Sequence, residues 1–133
     1  MIVDSSAWIE FLRDARTGPG LRVASEIERD APLQVPELVE LELLSGTTNE
    51  ERITRRRRFL HRFEMVPIVP FVDSVEAAEI QRRCRRAGES ARSLIDCHVA
   101  ATALRLDVPV MHHDRDFEVI RRHTGLRTVS LLT

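Results

Sequence analysis

Apolar residues recur in short runs, separated by longer stretches with helical spacing. Ile2–Asp4 predicts a strand that ends on a carboxylate, and Ser6–Arg13 predicts a helix directly after it. TGPG (Thr17–Gly20) predicts a break before a helix over Leu21–Arg29. Leu33–Val35 predicts a second strand, ending at Pro36, whose missing N–H suits the first turn of a helix. PELVELELLSG predicts that helix, stopped by Gly46. Thr48–Phe63 predicts a long polar and basic helix with Phe59 and Leu60 on its apolar side. Val66–Val69 predicts a strand between prolines, and Asp73–Ala87 a helix stopped by Gly88. Ser93–Leu106 predicts the most apolar helix. Pro109–Met111, Phe117–Thr124 and Arg127–Ser130 complete the pattern as strand, helix and strand.

Short strands alternating with helices predict an α/β fold with a central, mainly parallel sheet of four to five short strands flanked by helices. Ligands of such folds sit beyond the carboxyl ends of the strands. Two acids stand there: Asp4 after the first strand, and Asp114 after VPVMHHD.

Composition narrows the class. With 133 residues and 43% hydrophobic content, residues 1–133 are expected to form a single domain. No apolar run is long enough to span a bilayer or resembles a signal peptide, so no membrane is expected and the expected location is the cytoplasm. Cys84 and Cys97 form no CxxC pair and are expected to be small buried hydrophobes.

The formal net charge is only -1, which argues against indiscriminate nucleic-acid binding. Lysine is absent, however, and the arginines cluster at Arg55–Arg58 and at Arg82, Arg83, Arg85 and Arg86. Arginine forks suit phosphate, and solvated helix faces explain such clusters equally well. The charge pattern leaves room for a basic rim around an acidic centre.

Four acids stand in unusual places. Glu42 lies at the edge of an apolar face, between Leu41 and Leu43, where an unpaired carboxylate is costly unless it reaches water. Asp96 shares a helix face with Val99, Ala100 and Ala103, yet it also fits a capping box begun by Ser93. Asp4 suits a helix cap. Asp114 follows a strand, and Asp116 and Glu118 stand where a helix macrodipole favours acids. His112 and His113 lack partners at zinc-like spacing, and His98 and His123 read as structural. Taken together, Asp4, Glu42, Asp96 and Asp114 come from two strand ends and two helices that meet at one sheet edge. Carboxylates crowded there cannot all stay ionised without a cation. Oxygen ligands without thiolates favour Mg²⁺ or Mn²⁺, and phosphodiester hydrolysis is the chemistry such a site serves.

At these residues the sequence resembles a PIN-domain nuclease, in particular the VapC-type toxins of bacterial toxin–antitoxin pairs. The resemblance spans the chain and rests on IVDSSAWIEFL, ELLSG (Glu42–Gly46), RSLIDCHVAATAL and HHDRDF, in that order. It implies that Asp4, Glu42, Asp96 and Asp114 form the metal-binding catalytic set, completed by Asp116. Ser6 and Ser93 match hydroxyl positions that help hold the acids or water. Ser5 stands where the usual opening Asp-Thr-Ser has threonine. The implied activity is an Mg²⁺- or Mn²⁺-dependent endoribonuclease cutting structured RNA such as tRNA or rRNA. The implied partners are a second copy in a homodimer and a VapB-type antitoxin that points a basic residue into the acidic pocket. Arg82, Arg85, Arg86 and Arg92 then gain a task, holding the RNA backbone. Apolar residues around Leu21 and Leu60 are candidates for the dimer surface.

Other classes fit less well. A haloacid-dehalogenase-like phosphatase needs an aspartate where Ser6 stands, and a receiver-like module needs a lysine that the chain lacks. A PIN binding module without catalysis usually loses site acids, which this chain keeps. A PIN nuclease of RNA maturation, working without an antitoxin, is the remaining alternative.

Overall fold

A computed structural model describes residues 1–133. In chain order the elements are β1 (Ile2–Val3), α1 (Ser5–Arg13), α2 (Gly18–Glu28), β2 (Gln34–Pro36), α3 (Glu37–Ser45) and α4 (Glu50–Leu60). They continue with β3 (Glu64–Val66), α5 (Asp73–Arg86), α6 (Leu94–Leu106), β4 (Val110–His112), α7 (Arg115–His123) and β5 (Thr128–Ser130). The strands form one sheet in the order β3-β2-β1-β4-β5, and every pairing is parallel.

Burial matches the sheet order. Ile2, Val3, Val110 and Met111 are fully buried, as expected of central parallel strands covered on both faces. Helices supply every crossover, which parallel neighbours require. The chain first winds outward from β1 through β2 to β3. It then crosses back to β4 and winds outward to β5. The direction of winding reverses between β1 and β4, and that is where open α/β sheets form their crevice. Ile2 pairs with Val110 and Val3 with Met111, so Asp4 leaves β1 beside the end of β4. The Asp4 amide donates to Met111 O at 2.9 Å, which fixes that register.

Several boundaries differ from the sequence expectation by one to three residues, and three of them have a clear local reason. TGPG does not simply break the chain. Gly18, at φ +55°, opens α2, and a Cβ on Gly20 would lie 1.8 Å from Asp14 O, so glycine alone allows α1 and α2 to approach. Strand β3 covers Glu64–Val66 instead of Val66–Val69. Pro67 has no N–H for a ladder, and the next amides go to side chains: Ile68 N–H to Glu37 and Val69 N–H to Asp73, each at 3.0 Å. Helix α7 begins two residues earlier than expected, because Asp114 caps it through the Asp116 amide.

One core of 25 buried residues joins the sheet to its helices. Cys84 and Cys97 lie in it as free thiols, and burial pushes Cys97 up to about 12. Leu60 is 2% exposed and belongs to this core, so of the two apolar candidates for a dimer surface only Leu21 is exposed.

Trp8 anchors α1 from an aromatic cluster with Phe11, Phe59 and Phe63, at ring separations of 5.9, 5.6 and 5.3 Å. Its indole N–H is buried without an acceptor. Trp8→Phe removes that donor together with part of the packed ring. The two effects oppose each other, so the variant is expected to lose only about 1–2 kcal/mol. Urea unfolding followed by circular dichroism measures this, since the only tryptophan is gone.

Candidate metal centre

Each acid reaches the crevice through an ordinary structural device. Asp4 is the N-cap of α1. Its Oδ2 accepts from the Ser6 amide at 3.0 Å and the Ser6 hydroxyl at 2.6 Å. Ser6 Oγ in turn accepts from the His113 amide at 2.9 Å, which ties α1 to the end of β4. The cap uses only one oxygen: Asp4 Oδ1 is buried with no hydrogen-bond partner. A helix cap therefore accounts for half of this carboxylate.

Asp96 resolves in the same way. Ser93 Oγ accepts from the Asp96 amide at 3.2 Å, the first half of a capping box. The reciprocal bond is made by another residue. Asp116 Oδ2, from α7, takes the Ser93 amide at 2.9 Å. The Asp96 carboxylate is thereby released from capping, and its Oδ2 is buried without a partner.

Glu42 comes from the middle of α3, and Ser5 Oγ donates to its Oε1 at 2.7 Å. Sequence reasoning saw Ser5 only as a substitute for threonine. The retained hydroxyl was the available signal, and its target 37 positions away was not legible. Asp114 caps α7, with Oδ1 accepting from the Asp116 amide at 2.9 Å.

The five acids meet as two overlapping groups. Oxygens of Asp4, Glu42 and Asp96 lie within 4.8 Å of one another, as do oxygens of Asp96, Asp114 and Asp116. Asp96 belongs to both. Burial raises Asp96 to about 9, reinforced by repulsion from Asp4, Asp114, Glu42 and Asp116. Burial raises Asp4 to about 6 against the pull of its Ser6 bonds. Both shifts show that anionic charge here lacks a counter-charge.

Neither His112 nor His113 belongs to the two acid groups. His112 is fully buried, lies 2.9 Å from Glu118 and accepts the Asp114 amide on Nδ1. His113 Nδ1 lies 3.2 Å from Glu10.

The arginines divide. Arg82, Arg83 and Arg86 converge on Glu79, and Arg85 reaches Gln81 at 3.3 Å. Arg92 instead lines a cavity of about 510 Å³ together with Asp114 and Asp116. On the far side of α1, Arg13, Arg52, Arg55 and Arg56 surround Ile9, Leu12 and Phe59 in a second cavity of about 510 Å³.

Known proteins resemble the chain over nearly its full length. The PIN domain family model matches residues 1–123. The VapC ribonuclease Mb1587 of Mycobacterium bovis and ribonuclease VapC11 of Mycobacterium tuberculosis are each 33% identical over 131 residues, covering 98% of both chains. Among solved structures, VapBC-1 from nontypeable Haemophilus influenzae has a TM-score of 0.77 at 15% identity, covering 98% of this chain and 96% of that one. DNA-bound VapBC from Salmonella typhimurium has the same TM-score at 17% identity and the same coverage. Fold, family model and full-length relatives lead to one placement: the chain belongs to the PIN-domain family, among the relatives of VapC ribonucleases.

Proposed function

We propose that residues 1–133 act as one PIN domain, an Mg²⁺- or Mn²⁺-dependent endoribonuclease toxin that hydrolyses phosphodiester bonds in structured RNA such as tRNA or rRNA. The observation that carries this reading is a pair of buried, unpartnered carboxylate oxygens, Asp4 Oδ1 and Asp96 Oδ2, within a cluster of five acids. Oxygens of this kind, with no thiolate or second imidazole nearby, fit a hard divalent cation. Asp4, Glu42 and Asp96 would hold one ion, and Asp96, Asp114 and Asp116 a second. A bound ion supplies Lewis-acid help: it lowers the pKa of water and stabilises charge on the phosphate and leaving oxygen.

The protein's own groups do the positioning. Ser6 fixes one oxygen of Asp4 and leaves the other aimed at the cluster. Asp116 holds the amide of Ser93, the N-cap of α6, and so supports the turn that carries Asp96. Burial and its acidic neighbours favour the protonated form of Asp96 at neutral pH, so a bound ion would have to displace that proton.

Ser5 fixes Glu42 in the same manner. Ser5→Ala is expected to weaken Mn²⁺ binding about 10-fold, as loss of a supporting hydrogen bond does in metal sites. Ser5→Thr restores it, and calorimetric titration of Mn²⁺ reads both.

A VapB-type antitoxin completes the reading, in line with the fold-level neighbours solved as VapBC complexes. The groove over Ile9, Leu12 and Phe59, rimmed by Arg13, Arg52, Arg55 and Arg56, suits an apolar segment carrying acids. A basic antitoxin residue suits the acid cluster itself. No helix is long and apolar enough to cross a membrane. Action in the cytoplasm and as a homodimer belongs to the same proposal.

The test is cleavage of bulk tRNA and rRNA with Mg²⁺ or Mn²⁺, comparing the native protein with Asp4→Asn. Cleavage that vanishes in EDTA and in the folded variant is expected. Equal cleavage by both proteins overturns the assignment.

A further inference from the structure

Two cations stand beside the acid cluster with nothing to bind. Arg92 and Arg115 share the cavity of about 510 Å³ with Asp114, Asp116 and His113. Both are exposed, and neither makes an ion pair or a side-chain hydrogen bond. Most other arginines are engaged. In α5, Arg82, Arg83 and Arg86 share the one carboxylate of Glu79, Arg85 bonds Gln81, and none of the four lines this cavity; Arg105 clasps Asp73 through two bonds at 2.8 and 3.0 Å, and Arg121 pairs with Glu118. Arg52 and Arg55 of α4, also unpaired, line the groove against α1, which contains no site acid.

The walls that carry this pair are fixed to each other. Arg92 rides on the segment between α5 and α6, and Arg115 opens α7. Glu89 of that segment is bound by Arg122 and by His123, the latter at 2.7 Å, both from α7. Those partners hold the Glu89 carboxyl down at about 2, Arg122 contributing most, so the clasp persists at neutral pH. The Ser93 amide is bound by Asp116, also from α7. The spacing between the two arginines is thus set at both ends of the segment.

An RNA strand presented to five carboxylates meets strong repulsion. A bound cation relieves it at the cleaved phosphate but not at the next ones. Free guanidinium forks beside Asp114 and Asp116 supply the charge and geometry those phosphates need. We propose that Arg92 and Arg115 form a phosphate clamp on the Asp114 side of the acid cluster, gripping the RNA backbone next to the cleaved bond, while the arginines of α5 stay outside the contact. This rests on the ribonuclease reading above and adds Arg115 and a strand position to it.

The test uses fluorescein-labelled bulk tRNA bound to full-length protein in an Asp4→Asn background, which leaves the RNA uncut. Anisotropy is followed from 50 to 200 mM KCl. Arg92→Ala and Arg115→Ala are each expected to weaken binding at least about 5-fold at low salt. Each should also lower the slope of log K against log salt by about 0.7–0.9. Arg115→Lys keeps the slope, and Arg85→Ala leaves affinity and slope as they are. With native acids, the two alanine variants should raise KM for tRNA cleavage more than they lower kcat. Both residues are exposed, so folding is not at stake. Native-like affinity and slope in Arg115→Ala, with cleavage by the parent intact, overturn the clamp and leave the ribonuclease standing. Failure of the parent to cleave RNA with Mg²⁺ or Mn²⁺ overturns both.

Discussion

Replacing Asp96 by Asn is expected to reduce Mg²⁺-dependent RNA cleavage about 10³-fold or more, and to raise the melting temperature of the metal-free protein by about 5 °C. Asn keeps the size and shape of the side chain and removes its charge. Asp96 is the one acid common to both groups of clustered oxygens, so its loss would damage every cation position at once. A 10³-fold loss corresponds to about 4 kcal/mol of barrier, reasonable for removing the central ligand charge. The stability effect has the opposite sign. A buried carboxyl pushed to about 9 by burial and by its acidic neighbours is a cost to the fold at neutral pH. An aspartate kept for capping behaves otherwise: its removal lowers stability. Differential scanning calorimetry in EDTA, beside a cleavage assay in Mg²⁺, reads both signs. Retained cleavage would remove Asp96 from the site, and a lowered melting temperature would make it a structural residue.

How far the sequence discloses this site depends on the range of each contact. Asp4 and Asp114 are legible because a strand end and a helix cap are local facts, and the sheet order does the rest. Asp96 is legible as an acid on an apolar face, but its release from capping is not. That release depends on Asp116 bonding the Ser93 amide across 23 positions. The Ser5 bond to Glu42 is hidden for the same reason. Helix α3 shows a further limit. Leu41 and Leu43 look equivalent beside Glu42, yet Leu41 is 52% exposed and Leu43 is 1% exposed. A helix apolar on several sides does not announce which side is inside. The arginines are the clearest case. Their clusters draw attention to α4 and α5, away from the cavity that holds Asp114 and Asp116. The free pair at the acid cluster is split between two segments, and Arg115 carries no local signal. Strand β3 was misplaced because the apolar run Val66–Val69 outweighed the proline that removes a ladder donor.

The second large effect is a linkage between pH, stability and cation binding. Asp4 and Asp96 have folded-state values of about 6 and about 9, both above the ordinary carboxyl value near 3.8. Between the ordinary and the raised value the folded protein binds protons that the unfolded chain has released, so stability falls as pH rises. Asp4 contributes this loss from about pH 4 to 6, and Asp96 from about pH 4 to 9. Other groups act elsewhere. Glu89 and Asp73, held below the ordinary value by their partners, stabilise above it and lose that contribution only in acid. His112, lowered by burial, must stay neutral, so it destabilises only below about pH 6.5. From pH 7 to 9 Asp96 is the acid of the cluster that titrates; the Met1 amino group, lowered by burial from its ordinary value near 8.0, also contributes to stability there but sits at the other end of β1, bonded to Pro32 O at 3.1 Å. Over this window, a cation must displace about one proton, so apparent Mn²⁺ affinity is expected to rise about tenfold per pH unit, or 100-fold in all. Stabilisation by a fixed Mn²⁺ concentration grows with it as RT ln(1 + [Mn²⁺]/Kd), by about 2.7 kcal/mol across that window once the site is loaded. Calorimetry in two buffers of different ionisation enthalpy counts the released proton directly. Asp96→Asn should release none and show a flat pH profile. A proton count near zero at pH 8 in the native protein would mean that Asp96 is already ionised before the cation arrives, and the cluster would then need a different source of positive charge.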